Sequence, residues 1–248
     1  MISLVAIGGG KITARETEAI DRHALLLTEA ERPKVTFIGA ASSDDAEYAQ
    51  NFADYYKSLG AEVTTLALTR SPSEDEIDEA IFGADMLYGG GGSTAKLIEY
   101  LQTAGVADRI DQVAQDSRIL VVAGLSAGAN MQAAYCSTDH GVEDGPLDII
   151  PGLGYMPRTL ISPHHITEGE ARWKFLKESL PLADAPHIKA IAIDDWAAYV
   201  VPHSYQGSYG IASRPDSHVY SVTPLVDREN SIAPIIERAL AADGSIVR

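Results

Sequence analysis

Runs of apolar residues that stop at glycine, alternating with segments apolar only every third or fourth position, fill the first half of the chain. Short continuous apolar runs predict buried strands, and 3–4 spacing predicts amphipathic helices. Strands are expected at Ile2–Gly8, Lys34–Ala40, Glu62–Leu68, Asp85–Tyr88 and Ile119–Ala123. Helices are expected over about Ala14–Thr28, Asp45–Leu59, from Ser71-Pro72-Ser73-Glu74 to about Phe82, from Thr94 through Leu101, and Val106–Asp116. Tyr48, Phe52, Tyr55 and Tyr56 form an aromatic stripe at helical spacing, which core packing explains better than a ligand. Strands alternating with helices predict an α/β fold, a doubly wound, mostly parallel sheet with helices on both faces. In such sheets ligands bind outside the carboxyl ends of the strands. Ala40, Gly89–Gly92 and Ser126 fall at those ends.

The second half is less regular. Thr159–Ser162 and Ile188–Ile193 read as strands, Glu168–Leu180 as a helix, and Ala197–Val201, Tyr209–Ala212 and His218–Val222 as small antiparallel C-terminal strands. Ser231–Ala242 reads as a closing helix. No linker interrupts the pattern, so residues 1–248 are expected to form a single domain.

Composition narrows the class. Apolar residues make up 46% and charged residues 22%, as in an ordinary globular protein. A net charge of −16 argues against nucleic acid and anionic membrane surfaces as partners. No run is long enough for a membrane span, and the apolar N-terminus lacks the length and basic flank of a signal peptide. The single cysteine, Cys136, excludes an internal disulfide and suits a reducing cytoplasm.

Candidate chemistry centres on Gly124-Leu125-Ser126-Ala127-Gly128. Gly-x-Ser-x-Gly after an apolar run is the pattern of a nucleophile elbow, where a strand bends sharply into a helix and exposes a strained serine. An ordinary turn with a capping serine would read the same way. A nucleophilic serine needs a base, and the base an orienting acid. His164 and His165 follow a strand behind Pro163, and Asp194 and Asp195 end the next strand; either member of each pair fits. Ala127 and the Gly89–Gly92 turn, with Gly92 as the candidate, offer N–H groups for an oxyanion. That glycine run lacks P-loop spacing, and Gly8-Gly9-Gly10 lacks the third spaced glycine of a dinucleotide fingerprint. No metal-ligand pattern stands out, so neither metal nor cofactor is expected.

Four stretches together resemble the peptidase E family, serine dipeptidases related to cyanophycinases on a fold like class I glutamine amidotransferase domains. They are Gly91-Gly92-Ser93-Thr94-Ala95-Lys96-Leu97, Gly124-Leu125-Ser126-Ala127-Gly128-Ala129, Ser162-Pro163-His164 and Ala192-Ile193-Asp194-Asp195. The resemblance implies Ser126 as nucleophile, His164 as base, Asp195 as orienting acid where relatives usually have glutamate, and Gly92 and Ala127 as oxyanion donors. It also implies substrate contacts at Ser93, where the family usually has asparagine, and at Arg172. Gly169-Glu170-Ala171-Arg172 is similar to the element by which aspartyl dipeptidases read an N-terminal aspartate, although Phe175 replaces a second arginine. The implied function is cytoplasmic hydrolysis of small peptides by a monomer or homodimer. Two rivals remain: an esterase using Ser126, Asp195 and then His203 or His218, and a non-catalytic binding module on the same scaffold.

Overall fold

The computed structural model describes residues 1–116, 118–139, 147–165, 174–176, 178, 188–204, 207–224, 230–235 and 237–247. In chain order the elements are β1 (Ile2–Ile7), α1 (Glu18–Leu26), β2 (Lys34–Ile38), α2 (Ala46–Ser58), β3 (Glu62–Leu66), α3 (Glu74–Phe82), β4 (Met86–Gly89), α4 (Thr94–Thr103), α5 (Val106–Gln115) and β5 (Leu120–Leu125). There follow α6 (Ala127–Asn130), β6 (Ala133–Thr138), β7 (Asp148–Pro151), β8 (Met156–Ser162), β9 (Lys189–Ile193), β10 (Ala197–Val201), β11 (Tyr209–Ala212), β12 (Val219–Pro224) and β13 (Asn230–Pro234).

Two sheets share these strands. The first runs β11-β10-β1-β5-β4-β2-β3, parallel from β1 to β3 with β10 and β11 antiparallel at one edge. The second runs β13-β12-β9-β8-β6-β7, with β6, β8 and β9 parallel. The division into two sheets was not legible in the pattern, although the α/β class was.

Strand side chains alternate between two cores, as a period of two demands. Val5, Ile7, Phe37, Tyr88, Val121 and Ala123 pack against Ile20, Phe52 and Tyr56 of α1 and α2. Leu4, Ala6, Ile38, Leu87 and Val122 face the other way, onto α3, α4 and α5 and onto Ile161, Ile191 and Ile193 of the second sheet. Both faces of the central strands are thus dry, which is why they read as continuous apolar runs. Helix ends follow local rules. Ser73 and Glu76 form a reciprocal capping box at α3, and Asp45 caps α2 by accepting the Tyr48 N–H at 2.7 Å.

Several expectations need correction. None of the described residues of the closing helix expected over Ser231–Ala242 is helical, and its first residues belong to strand β13, paired antiparallel with β12. Pro234 lacks the N–H that a helix interior requires. The helix after the elbow stops at Asn130, and β6 and β7, which had no sequence signal, follow. Of the stretch read as a helix over Glu168–Leu180, residues 174–176 and 178 are helical and the remainder lies outside the described residues. His23 lies mid-helix, which from the sequence alone reads as a surface position; it is instead buried at 4% exposure, its ring nitrogens bonded to Gly244 O at 2.8 Å and Tyr209 Oη at 2.9 Å.

Candidate active site

The end of β5 turns abruptly into α6, and Ser126 occupies the bend at φ 56°, ψ −106°. A non-glycine residue at positive φ is strained. The bend also needs close backbone approach: a side chain at Gly128 would overlap Gly89 O and lie 2.9 Å from Gly89 Cα. The Ser126 carbonyl accepts the Asn130 N–H at 2.9 Å, which starts the helix, while its N–H donates to Ile7 O at 2.9 Å.

His164 comes from the second sheet. It follows β8 and Pro163, also takes a positive φ of 56°, and donates its backbone N–H to Gly8 O at 3.3 Å. Its Nε2 lies 2.8 Å from Ser126 Oγ and its Nδ1 lies 2.7 Å from Asp195 Oδ1. An ionised carboxylate only accepts, so Nδ1 carries the proton and Nε2 of the neutral ring accepts the serine O–H. Asp195 is 6% exposed at the end of β9, and the next residue, Trp196, donates its N–H to Gly9 O at 2.9 Å. The successive carbonyls of Ile7, Gly8 and Gly9 thus hold Ser126, His164 and the residue after Asp195.

The structure separates the paired alternatives. Asp194 Oδ2 accepts the His218 N–H at 2.8 Å, and burial pushes its carboxyl up to about 6. His165 is buried beside Tyr220. His218 Nδ1 pairs with Glu237 at 3.0 Å, and His203 Nδ1 bonds Ser3 Oγ at 2.9 Å, at the opposite end of β1. The histidines of the esterase arrangement are therefore engaged elsewhere.

Gly92, at φ 134°, packs beneath Ala41 O, and the neighbouring Gly91 approaches Ser126: a Cβ on Gly91 would be 3.7 Å from Ser126 Cβ. Ala127 is the first residue of α6, whose leading N–H groups have no helical acceptor. Among the described residues neither the Gly92 nor the Ala127 N–H enters a hydrogen bond. Ser93 caps α4, accepting the Lys96 N–H at 3.4 Å. Arg172 lies outside the described residues. Cys136 is buried and donates to Asn130 O at 3.0 Å. Among the described residues no cluster of three or more metal-ligating side chains occurs, and no helix is long and apolar enough to cross a membrane. What sequence reasoning missed was Tyr48: its hydroxyl accepts the Gly91 N–H at 3.2 Å, although its spacing had marked it as core.

The fold and site define an α/β protein with a strained serine at a strand–helix bend, joined through histidine to a buried aspartate. The sequence model of Peptidase family S51 matches residues 4–204, a span containing all three side chains, and the chain belongs to that family. The uncharacterized peptidase YgaJ of Bacillus subtilis (strain 168) is 31% identical over 175 residues, covering 69% of this chain and 72% of that protein. Among solved structures, a peptidase from an acI-B1 Actinobacterium is similar at a TM-score of 0.66 and 19% identity, covering 93% of each chain. A structure described as a peptidase E protein of Listeria monocytogenes EGD-e is similar at a TM-score of 0.60 and 20% identity, covering 85% of this chain and 98% of the other.

Proposed function

We propose that this peptidase is a serine exopeptidase that hydrolyses dipeptides or short peptides through an acyl-enzyme. Ser126 Oγ attacks the scissile carbonyl as His164 Nε2 takes its proton, and Asp195 holds the ring in the required tautomer. The tetrahedral oxyanion lies between the N–H groups of Gly92 and Ala127. His164 then gives its proton to the departing amine, and water repeats the sequence on the ester. Negative charge on Asp195 stabilises the imidazolium in both halves.

The observation that supports this reading is the position of His164, within hydrogen-bond distance of Ser126 on one side and Asp195 on the other. Specificity for an N-terminal aspartate, with Arg172 as its reader, belongs to the proposal, as does a cytoplasmic location. The test is hydrolysis of Asp-X, Ala-X, Leu-X and β-Asp-Arg dipeptides by wild type and Ser126→Ala. Cleavage that vanishes in Ser126→Ala supports the mechanism. Restriction to Asp-X supports the Arg172 reading. Equal turnover by the two proteins overturns the mechanism.

A further inference from the structure

An oxyanion hole works only if its donors are fixed before charge develops. Here the Gly92 donor belongs to Gly90-Gly91-Gly92, and glycines lose more conformational freedom on ordering than other residues. The ends of this turn are tied to main chain: Gly90 N–H donates to Ile38 O and Ser93 N–H to Ala41 O, both at 3.0 Å. Its middle is tied to a side chain, because Gly91 N–H donates to Tyr48 Oη at 3.2 Å. Fixing that N–H fixes the peptide directly before the one carrying the Gly92 donor.

Tyr48 is itself well held. Its ring packs edge-on against Phe37, with centroids 5.2 Å apart, and its backbone N–H is bound by Asp45. Burial raises its phenol above the ordinary value, so it remains protonated. The ring also lines a cavity of about 390 Å³ with Gly10, Lys11, Asn51 and Gly91. These residues follow β1, β2 and β4 at their carboxyl ends, and β5, which leads to Ser126, lies between β1 and β4. The cavity thus occupies the place where open α/β sheets bind ligands.

We propose that Tyr48 is a positioning residue for hydrolysis: from α2, its hydroxyl holds the N–H of Gly91, the residue that approaches Ser126, and so aims the Gly92 N–H at the developing oxyanion. The inference rests on the serine-peptidase reading above. It differs from a packing role because it assigns the effect to one oxygen atom.

The experiment compares wild type, Tyr48→Phe and Phe37→Leu. Each is reacted with a small alkyl fluorophosphonate, whose P=O enters the same hole, and assayed with whichever panel dipeptide wild type cleaves. Tyr48→Phe is expected to slow phosphonylation of Ser126 and kcat together by roughly 10- to 100-fold, less than the ~10²–10³ lost when a donor is deleted. KM, the melting temperature and the midpoint of the acidic limb of the pH–rate profile stay at wild-type values. Phe37→Leu, which loosens the packing and keeps the hydroxyl, is expected to lower the melting temperature with less than about a threefold change in either rate, small beside the loss of an oxyanion donor. Wild-type rates in Tyr48→Phe, a loss confined to KM, or an equal rate loss in Phe37→Leu would overturn the inference alone. A wild-type Ser126 that does not react would overturn the peptidase mechanism and this inference with it.

Discussion

Gly9 lies directly beneath Asp195: a methyl group at position 9 would overlap Asp195 Oδ1 and come within 2.6 Å of His164 Nδ1. The hydrogen bond between the imidazole and the carboxylate therefore occupies the volume that a side chain on β1's continuation would fill. Gly9→Ala is expected to break that bond while leaving the two sheets formed. Activity should fall by at least ~10²-fold, since an imidazole that loses its orienting carboxylate in a serine protease loses about 10⁴. Steady-state assays with circular dichroism on the same sample check this; an active Gly9→Ala enzyme would mean that Asp195 does not orient His164.

Histidine replacements separate the hydrolytic schemes. His164→Ala should reduce kcat by ~10³-fold or more, as loss of a triad base does. His218→Ala should leave activity within about threefold, because His218 pairs with Glu237 and its N–H with Asp194 rather than with Ser126. The reverse result would restore the esterase order of residues.

Stability should carry a pH signature from Asp21. Burial pushes this carboxyl up to about 6, against hydroxyls of Tyr56, Thr17 and Tyr55 that favour its ionised form. The folded value lies above the ordinary 3.8, so protonation favours the fold. That contribution is complete below about pH 4 and is lost as pH rises through about 6. The wild-type melting temperature should fall across this window, and Asp21→Asn should flatten the fall. Glu18, held down to about 2 first by its bond with Arg15, acts with the opposite sign below that window. A melting temperature with equal slope in both proteins would show that Asp21 titrates at its ordinary value.

Cys136 is a built-in reporter of unfolding. Burial pushes its thiol up to about 12, so the reactive thiolate is scarce at neutral pH. Iodoacetamide at pH 7.5 should leave the folded protein unlabelled and modify it fully in denaturant, as read by intact mass. Rapid labelling without denaturant would reveal local opening of the β6 region.

The sequence disclosed features whose chemistry or spacing is local. The elbow was legible because its bend requires small residues around the serine, and the parallel strands because both of their faces are buried. The second sheet was legible in part: β8, β9 and β12 were read as strands, while β6, β7 and β13 were not. Ala133–Thr138 has few of the β-branched aliphatic residues that announce a strand, and its pairing with β8 depends on residues more than twenty positions away. His23 misled for a related reason: its partners, Tyr209 and Gly244, are supplied by the far end of the chain. His164 was distinguished from His165, and Asp195 from Asp194, by resemblance rather than by physical reasoning, because neighbouring residues at a strand end differ only in where the backbone turns them. Tyr48 was obscured by its own helix, where four aromatic residues share one stripe and only this one reaches a glycine turn.

The support given by the carbonyls of Ile7, Gly8 and Gly9 makes turnover a report on assembly. Ser126 belongs to one sheet, His164 and Asp195 to the other, and their common scaffold is main chain that no side-chain replacement can delete. A chain in which only the first sheet had formed would be inert, because two of the three side chains would be missing from the site. Recovery of activity on refolding would therefore time the meeting of the two sheets rather than the formation of either.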